Sequence, residues 1–364
     1  MHSIYDTAAL QKFLEEQGEK PFRLTQIHHT LYKDLIEDIS TCTTLSQKLK
    51  DGLKENFTQH VLTVSHIANS ENGQTTKFLL DTHDDKHIEC VIMRHLSGRN
   101  TLCISCQAGC PMACTFCATG KLGLLRNLTV GEIVEQVMLA IQYLKKEKLQ
   151  LRNIVFMGMG EPFLNYPEVK KSLEIFCGPK CLNFSERRVT ISTCGIVPWI
   201  KKLMVDHPQI SLAVSLHAPN DEARRAIMPV DNTYPLDQLM ASLDEYVATT
   251  NKRIFYEYIM IKWVTDKPAY AHELAQLMKW RLGHVNFIPY NAGEGIMGND
   301  MQPTSSLMIR KFQRVLEEHG IPSTVRFTMG DDIDAACGQL ALREEGKSLA
   351  TEVGRTLGKT TNKI

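Results

Sequence analysis

The chain is 364 residues long, 43% hydrophobic and 23% charged, and its 41 Lys and Arg balance 41 Asp and Glu. That length suffices for one long domain with an appendage or for two domains, and zero net charge excludes a global basic field as the means of holding a nucleic acid, leaving only local patches. The start, MHSIYDTAALQKF, has no basic segment followed by an apolar one, and no apolar run is long enough for a bilayer, so a soluble cytoplasmic protein with no membrane partner is expected.

Residues 1–57 predict a small helical accessory domain. DTAALQKFLEEQG, RLTQIHHTLYKDLI and TLSQKLKDGLKENF each place apolar residues at helical spacing. Residues 58–98 change texture: VLTVSHIA, TTKFLLD and HIECVIMRH alternate with the turn signals SENG, THDDK and LSGRN, which predicts an antiparallel β-meander. From 99 to 342 strand and helix alternate. TLCISC, NIVFMGM, RRVTIST, ISLAVSL, RIFYEYIMI and HVNFIPY are the strands; LTVGEIVEQVMLAIQYLKKEK, PLDQLMASLDEYVATT and PAYAHELAQLMKWRLG are among the helices. Such alternation predicts an α/β core on a parallel sheet, curled or closed. A further helix, SSLMIRKFQRVLEEHG, and a strand, STVRFTM, precede DDIDAACGQL, and 343–364 reads as a basic tail.

In a reducing compartment eleven cysteines argue against structural disulfides. Five of them, Cys103, Cys106, Cys110, Cys114 and Cys117, crowd one short segment, which points to metal. CPMACTFC spaces Cys110, Cys114 and Cys117 as C-x3-C-x2-C. Three thiolates on one compact loop can hold three corners of an iron–sulfur cubane and leave the fourth iron open, as catalytic metal sites leave a position free. An open iron suits chelation of S-adenosylmethionine, whose one-electron cleavage yields a 5′-deoxyadenosyl radical. The alternative is a structural zinc with Cys103 or Cys106 as fourth ligand. It fits less well, because structural zinc prefers paired C-x2-C knuckles and no second knuckle is evident.

The surrounding residues extend the pattern. CISCQAGCPMACTFCATGKLGLLRNLTVGEIVEQV, NIVFMGMGEP, RRVTISTCGIVP, SLAVSLHAPNDEARRAIMPV, YPLDQLM, HVNFIPYN and GDDIDAACGQL, in this order, resemble the RlmN/Cfr family of radical S-adenosylmethionine RNA methyltransferases, and the likeness runs from about Glu89 to Leu340. The resemblance is closer to the RlmN branch. It implies a partial (βα)6 radical-SAM barrel, one 4Fe-4S cluster on Cys110, Cys114 and Cys117, and two molecules of S-adenosylmethionine per turnover. It also implies cofactor contacts from Gly160, Glu161, Ser192, Ser215, Leu216, His217 and Asn291. All lie at the ends of predicted strands, where barrels of this kind gather their sites. Singly, a strand-end serine, a turn glycine or a capping histidine is ordinary.

A substrate and a division of labour follow from the same resemblance. Carbon 2 of adenine is electron-poor and does not attack a sulfonium methyl group, so the family first methylates a protein cysteine, which Cys337 matches. A radical then removes hydrogen from that methyl group, and the resulting methylene adds to the ring. Cys103 matches the cysteine that resolves the adduct, leaving a transient disulfide with Cys337. Glu89 matches the acceptor of the ring proton, with one residue more between it and Cys103 than the family pattern carries. The implied partners are large-subunit ribosomal RNA, with transfer RNA as a second substrate, and a one-electron donor such as flavodoxin or ferredoxin; the chain is expected to act as a monomer. Cys42, Cys90, Cys177, Cys181 and Cys194 read as packing residues.

Four features depart from the family. Cys106 stands where relatives commonly carry serine, Cys194 in ISTCG is unusual, Met329 replaces a basic residue, and FIPYNAGEG lacks the proline that often follows the asparagine. They keep two alternatives open, methylation at carbon 8 and a radical reaction on another substrate. Lys121, Arg126, Lys145, Lys146, Lys148 and Arg152, with Arg343, Lys347, Arg355 and Lys359 of the tail, are the candidate grip on RNA phosphates.

Overall fold

The computed structural model describes residues 1–291, 301–340, 343–344 and 347–348; residues 292–295 of FIPYNAGEG and the tail positions Arg355 and Lys359 lie outside them. The chain opens with His2–Ser3 (β1), Thr7–Glu16 (α1), Phe22–His29 (α2), Gln47–Asn56 (α3) and Phe57–Thr58 (β2), with β1 and β2 paired in parallel. Asp6 starts α1 by accepting from the Ala9 amide at 3.1 Å, and Ser46 starts α3 by accepting from Leu49. The apolar faces, Leu10, Phe13, Leu14, Leu49 and Leu53, are buried with Tyr5, Leu31 and Phe57. RLTQIHHTLYKDLI is not one uniform helix: α2 widens into a π-turn over Thr30–Asp34 and stops at Leu35, φ 58°.

Leu62–Asn69 (β3), Thr75–Thr82 (β4) and His87–Arg94 (β5) form the expected antiparallel meander, and Asn100–Cys103 (β6) pairs antiparallel with β5. Gln107–Gly109 (β7) and Leu124–Asn127 (β8) make a small hairpin around the cysteine loop and the short helix Ala118–Leu122 (α4). The chain then alternates: Val130–Lys146 (α5), Leu151–Phe156 (β9), Tyr166–Cys177 (α6), Val189–Thr193 (β10), Val197–Asp206 (α7), Ser211–Ser215 (β11), Asp221–Ile227 (α8), Leu236–Thr250 (α9), Ile254–Met260 (β12), Pro268–Met278 (α10), Gly283–Pro289 (β13), Ser306–Glu318 (α11) and Ser323–Val325 (β14).

One ten-stranded sheet runs β14-β13-β12-β11-β10-β9-β6-β5-β4-β3. The six expected barrel strands, β6 and β9–β13, are consecutive neighbours, each parallel to the next, and β14 adds a short seventh. The order is linear with β3 and β14 at its edges, so the barrel is partial, and the meander continues the same sheet. The parallel strands are apolar at their centres; Leu212, Ala213 and Val214 of β11 are all fully buried. Three charged side chains are buried in the sheet, Lys77 of β4, Glu89 of β5 and Glu257 of β12, and a buried charge needs a partner.

Helix α5 joins the N-terminal unit to the barrel. A capping box of Thr129 and Glu132 starts it, and its buried Glu135 accepts from the Val61 and Leu62 amides at 2.7 and 3.0 Å. Among the described residues no helix is long and apolar enough to cross a membrane.

Candidate active site

The C-terminal ends of the parallel strands and the loop after β7 surround an open cavity. Cys110, Cys114 and Cys117 line it, with Gly160 and Glu161 after β9, Ser192 of β10, Ser215 and His217 at the end of β11, and Cys337. Gly109, φ 76°, lets the β7–β8 hairpin close behind Cys110, since a Cβ there would lie 1.9 Å from the Gly123 carbonyl oxygen. Gly160, φ 101°, brings the strand end against Gln107, whose Cβ is 2.6 Å from where a side chain would start. The cysteine loop is held from two sides: the Thr115 amide donates to the Ile227 carbonyl at 3.0 Å and the Ala118 amide to Gly338 at 2.8 Å.

Burial pushes the Cys110 thiol up to about 12 and raises Cys114 and Cys117 as well. Three desolvated soft donors on one loop become thiolates only beside a cation, which is the condition a metal centre supplies. These residues therefore fit an iron–sulfur centre held through three sulfurs. Glu161, buried, already accepts from the Phe163 amide at 3.1 Å and the Cys194 amide at 2.8 Å; burial raises its carboxyl, and those bonds pull it back. A carboxylate has about four acceptor sites, so capacity remains for a cofactor's amino group. His217 is neutral: burial, then the charge of Arg224, hold it at about 3, its Nδ1 accepts from the Ile259 amide, and its ring meets Phe116 of the cysteine loop edge-on at 4.9 Å.

Two expected cofactor residues are not on this cavity. Leu216 is fully buried, and Asn291 donates from its side chain to the Cys337 carbonyl at 3.4 Å while accepting from Thr328. Cys106 turns inward, its thiol 3.7 Å from the Met159 carbonyl. Cys194, read from sequence as packing, lines the cavity beside Glu161.

Cys103 borders a second cavity with Val91 of β5, and Cys117, Arg326 and Cys337 line both. All eleven cysteines are free, so the expected Cys103–Cys337 disulfide is absent from this state. No two cysteine sulfurs lie at bonding distance; burial, and next the neighbouring Cys337, push the Cys103 thiol up to about 12, while Arg326 pulls it down. Glu89 lies on neither cavity. It is buried on the same face of β5 as Val91 and pairs with Lys77 at 3.0 Å. Glu257, which borders the first cavity and accepts from Asn286, and Arg326 were both missed in the sequence; a lone carboxylate inside the apolar run RIFYEYIMI was the available signal for the former.

The candidate phosphate grip divides. Lys145, Lys146, Lys148 and Arg152 are exposed at the end of α5 and the start of β9, the end of the barrel opposite the cavity. Arg126 is committed to Asp84 at 2.6 Å and Glu132 at 2.7 Å. Lys121 lies on α4, directly after the cysteine loop.

Comparison with known proteins gives the same picture. Residues 104–274 match the radical SAM superfamily and residues 5–58 the ribosomal RNA large subunit methyltransferase N-terminal domain. A probable dual-specificity RNA methyltransferase RlmN of Carboxydothermus hydrogenoformans is 42% identical over 90% of this chain and 94% of its own, and one of Bacillus licheniformis is 41% identical over 94% of each. A crystal structure of a radical SAM methyltransferase from Sphaerobacter thermophilus, 41% identical, superposes with a TM-score of 0.89 over 93% of this chain and 99% of that one. By fold and by sequence over nearly its whole length, the chain belongs to the RlmN family of radical SAM RNA methyltransferases.

Proposed function

We propose that the chain methylates carbon 2 of an adenosine in 23S ribosomal RNA, with transfer RNA as a second substrate, through a methyl group carried on Cys337. The observation that carries this reading is the shared lining: Cys337 borders both the cavity of the three loop cysteines and the cavity of Cys103. Membership of the radical SAM superfamily implies a 4Fe-4S cluster and S-adenosylmethionine. Bound together they supply a 5′-deoxyadenosyl radical, and a second S-adenosylmethionine supplies the methyl group, two per turnover.

Cys110, Cys114 and Cys117 would hold the cluster; Gly160, Glu161, Ser192, Ser215 and His217 would line the cofactor's seat, with Leu216 and Asn291 bracing it. Cys337 receives the methyl group and presents its carbon to the ring. Once the adduct has passed its odd electron to a one-electron acceptor, the ring C–H bond breaks, its pair stays in the ring, and Glu89 takes the proton. Cys103 then bonds the Cys337 sulfur as the sulfur–carbon bond breaks, and the released carbon takes a proton to become the methyl group. Arg326, beside both sulfurs, favours the thiolate this step needs. A flavodoxin or ferredoxin supplies electrons, and the chain works as a monomer in the cytoplasm.

The test is mass spectrometry of ribosomal and transfer RNA from cells with and without the gene. The expected result is 2-methyladenosine only where the gene is present. 8-Methyladenosine in its place would overturn the position, and no change in either would overturn the function.

A further inference from the structure

We propose that Lys77 is a positioning residue for the methyl transfer, keeping Glu89 a carboxylate and tying it to the segment that carries Cys337. The inference rests on the roles proposed above for Glu89 and Cys337. Lys77 stands on β4 just before its apolar residues Phe78, Leu79 and Leu80, with its side chain 10% exposed; Glu89 is 1% exposed. A carboxyl so buried takes up a proton unless a cation is beside it, and a protonated carboxyl cannot accept another. The Lys77 ammonium supplies that cation 3.0 Å from Glu89 Oε1.

Strand register sets the aim. Lys77 lies directly opposite Val91, and Val91 opposite Cys103, so Glu89, two residues before Val91, is the diagonal neighbour of Lys77 on the same face. The ammonium has a second contact, donating to the Asp334 carbonyl at 3.2 Å, three residues before Cys337. The Cys337 segment is also anchored where the Glu71 amide donates to Asp332 at 2.7 Å and where Gly330 packs against Thr75. Among these anchors Lys77 also touches a reacting residue. When the ring C–H bond breaks and its proton reaches Glu89, the pair stays in the ring and Lys77 remains an ammonium. The Asp334 carbonyl then keeps that cation solvated after its partner is neutralised.

The experiment uses the full chain with its cluster reconstituted and an RNA substrate. Lys77→Met should still be methylated at Cys337 and still form 5′-deoxyadenosine, since neither step uses Glu89. It should accumulate a covalent protein–RNA adduct, with turnover lower by on the order of a hundredfold, the scale of one lost proton-transfer group. Lys77→Arg should restore turnover in part. Lys77→Gln, which keeps a donor toward both oxygens, should also stall at the adduct and stands in should Lys77→Met not fold. Cys103→Ala, run alongside, reports on the underlying reading. If Cys103→Ala traps an adduct while the Lys77 variants turn over like the wild type, or lose Cys337 methylation as well, the role given to Lys77 is overturned and the reading stands. If Cys103→Ala traps none, the reading itself fails.

Discussion

Replacing Arg224 with Met removes a guanidinium that has no exposed surface and that ties together three parts of the site. Its Nη1 pairs with the equally buried Asp231 at 3.0 Å. Nη2 donates to the Cys194 carbonyl at 2.6 Å and to Ser215 at 3.3 Å, and Nε to Leu216 at 3.2 Å. Arg224 therefore fastens the end of β10 to the end of β11, where Ser192 and Ser215 line the cavity. Breaking a buried ion pair from one side costs about 3–5 kcal/mol, because the remaining charge is stranded. Here Asp231 retains Arg225 at 3.5 Å, half exposed, so the lower end, about 3 kcal/mol, is the better figure. In a thermal melt followed by circular dichroism that corresponds to a drop of about 4 °C for a chain of this length. Affinity for S-adenosylmethionine should fall in parallel, since the strand ends lose their brace. Arg224→Met combined with Asp231→Leu should recover most of the stability, because an apolar pair replaces an ionic one without leaving a charge behind. A single variant within about 1 kcal/mol of wild type, or a double variant less stable than the single, would refute this reasoning.

His217 predicts acid sensitivity. Its folded value of about 3 lies below the ordinary ~6.5, so its contribution is complete above ~6.5 and is lost as the pH falls toward 3, about 2 kcal/mol between roughly pH 7 and pH 5. His217→Asn should flatten that slope in urea titrations; an unchanged slope would exclude His217 as its cause. Changing Cys110, Cys114 and Cys117 to Ala should abolish both the brown colour after anaerobic reconstitution and cleavage of S-adenosylmethionine, whereas stoichiometric zinc with no retained iron would favour the zinc alternative. Changing Lys145, Lys146 and Lys148 to Ala should leave RNA affinity and its salt dependence unaltered, because these side chains sit at the far end of the barrel; a shallower salt slope would show that RNA wraps that far.

The fold was legible where local pattern and packing agree. The meander follows from alternating apolar residues between turn signals, and the order of the barrel strands follows from short apolar runs separated by amphipathic helices. The spacing of the cysteine loop points to a metal centre, and the motifs around it, rather than the spacing alone, point to the family. What escaped were the residues whose roles depend on distant partners. Glu257 announces itself as a single charge inside an apolar strand, yet sequence does not reveal that Lys77 meets Asp334, 257 positions away, or that Arg326 lines a cavity with Cys337 and Cys103. Asn291 was placed correctly at a strand end, but its side chain turns to the Cys337 carbonyl. Basic residues close in sequence read as one patch, although the direction of α5 carries four of the six, Lys145, Lys146, Lys148 and Arg152, to the opposite end of the barrel.

Whether two sulfurs divide the work, Cys337 bonding carbon and Cys103 displacing it, is tested most directly with Cys103→Ala in the reconstituted full chain. Incubated with S-adenosylmethionine, a reductant and RNA, this variant should be methylated at Cys337 and form the radical. It should then stall as a covalent adduct, seen on a denaturing gel as an RNA-dependent, nuclease-sensitive shift. Cys337→Ala should show neither methylation nor adduct. Normal turnover by Cys103→Ala, with no trapped species, would contradict the two-cysteine chemistry and leave the family relationship as a statement about fold alone.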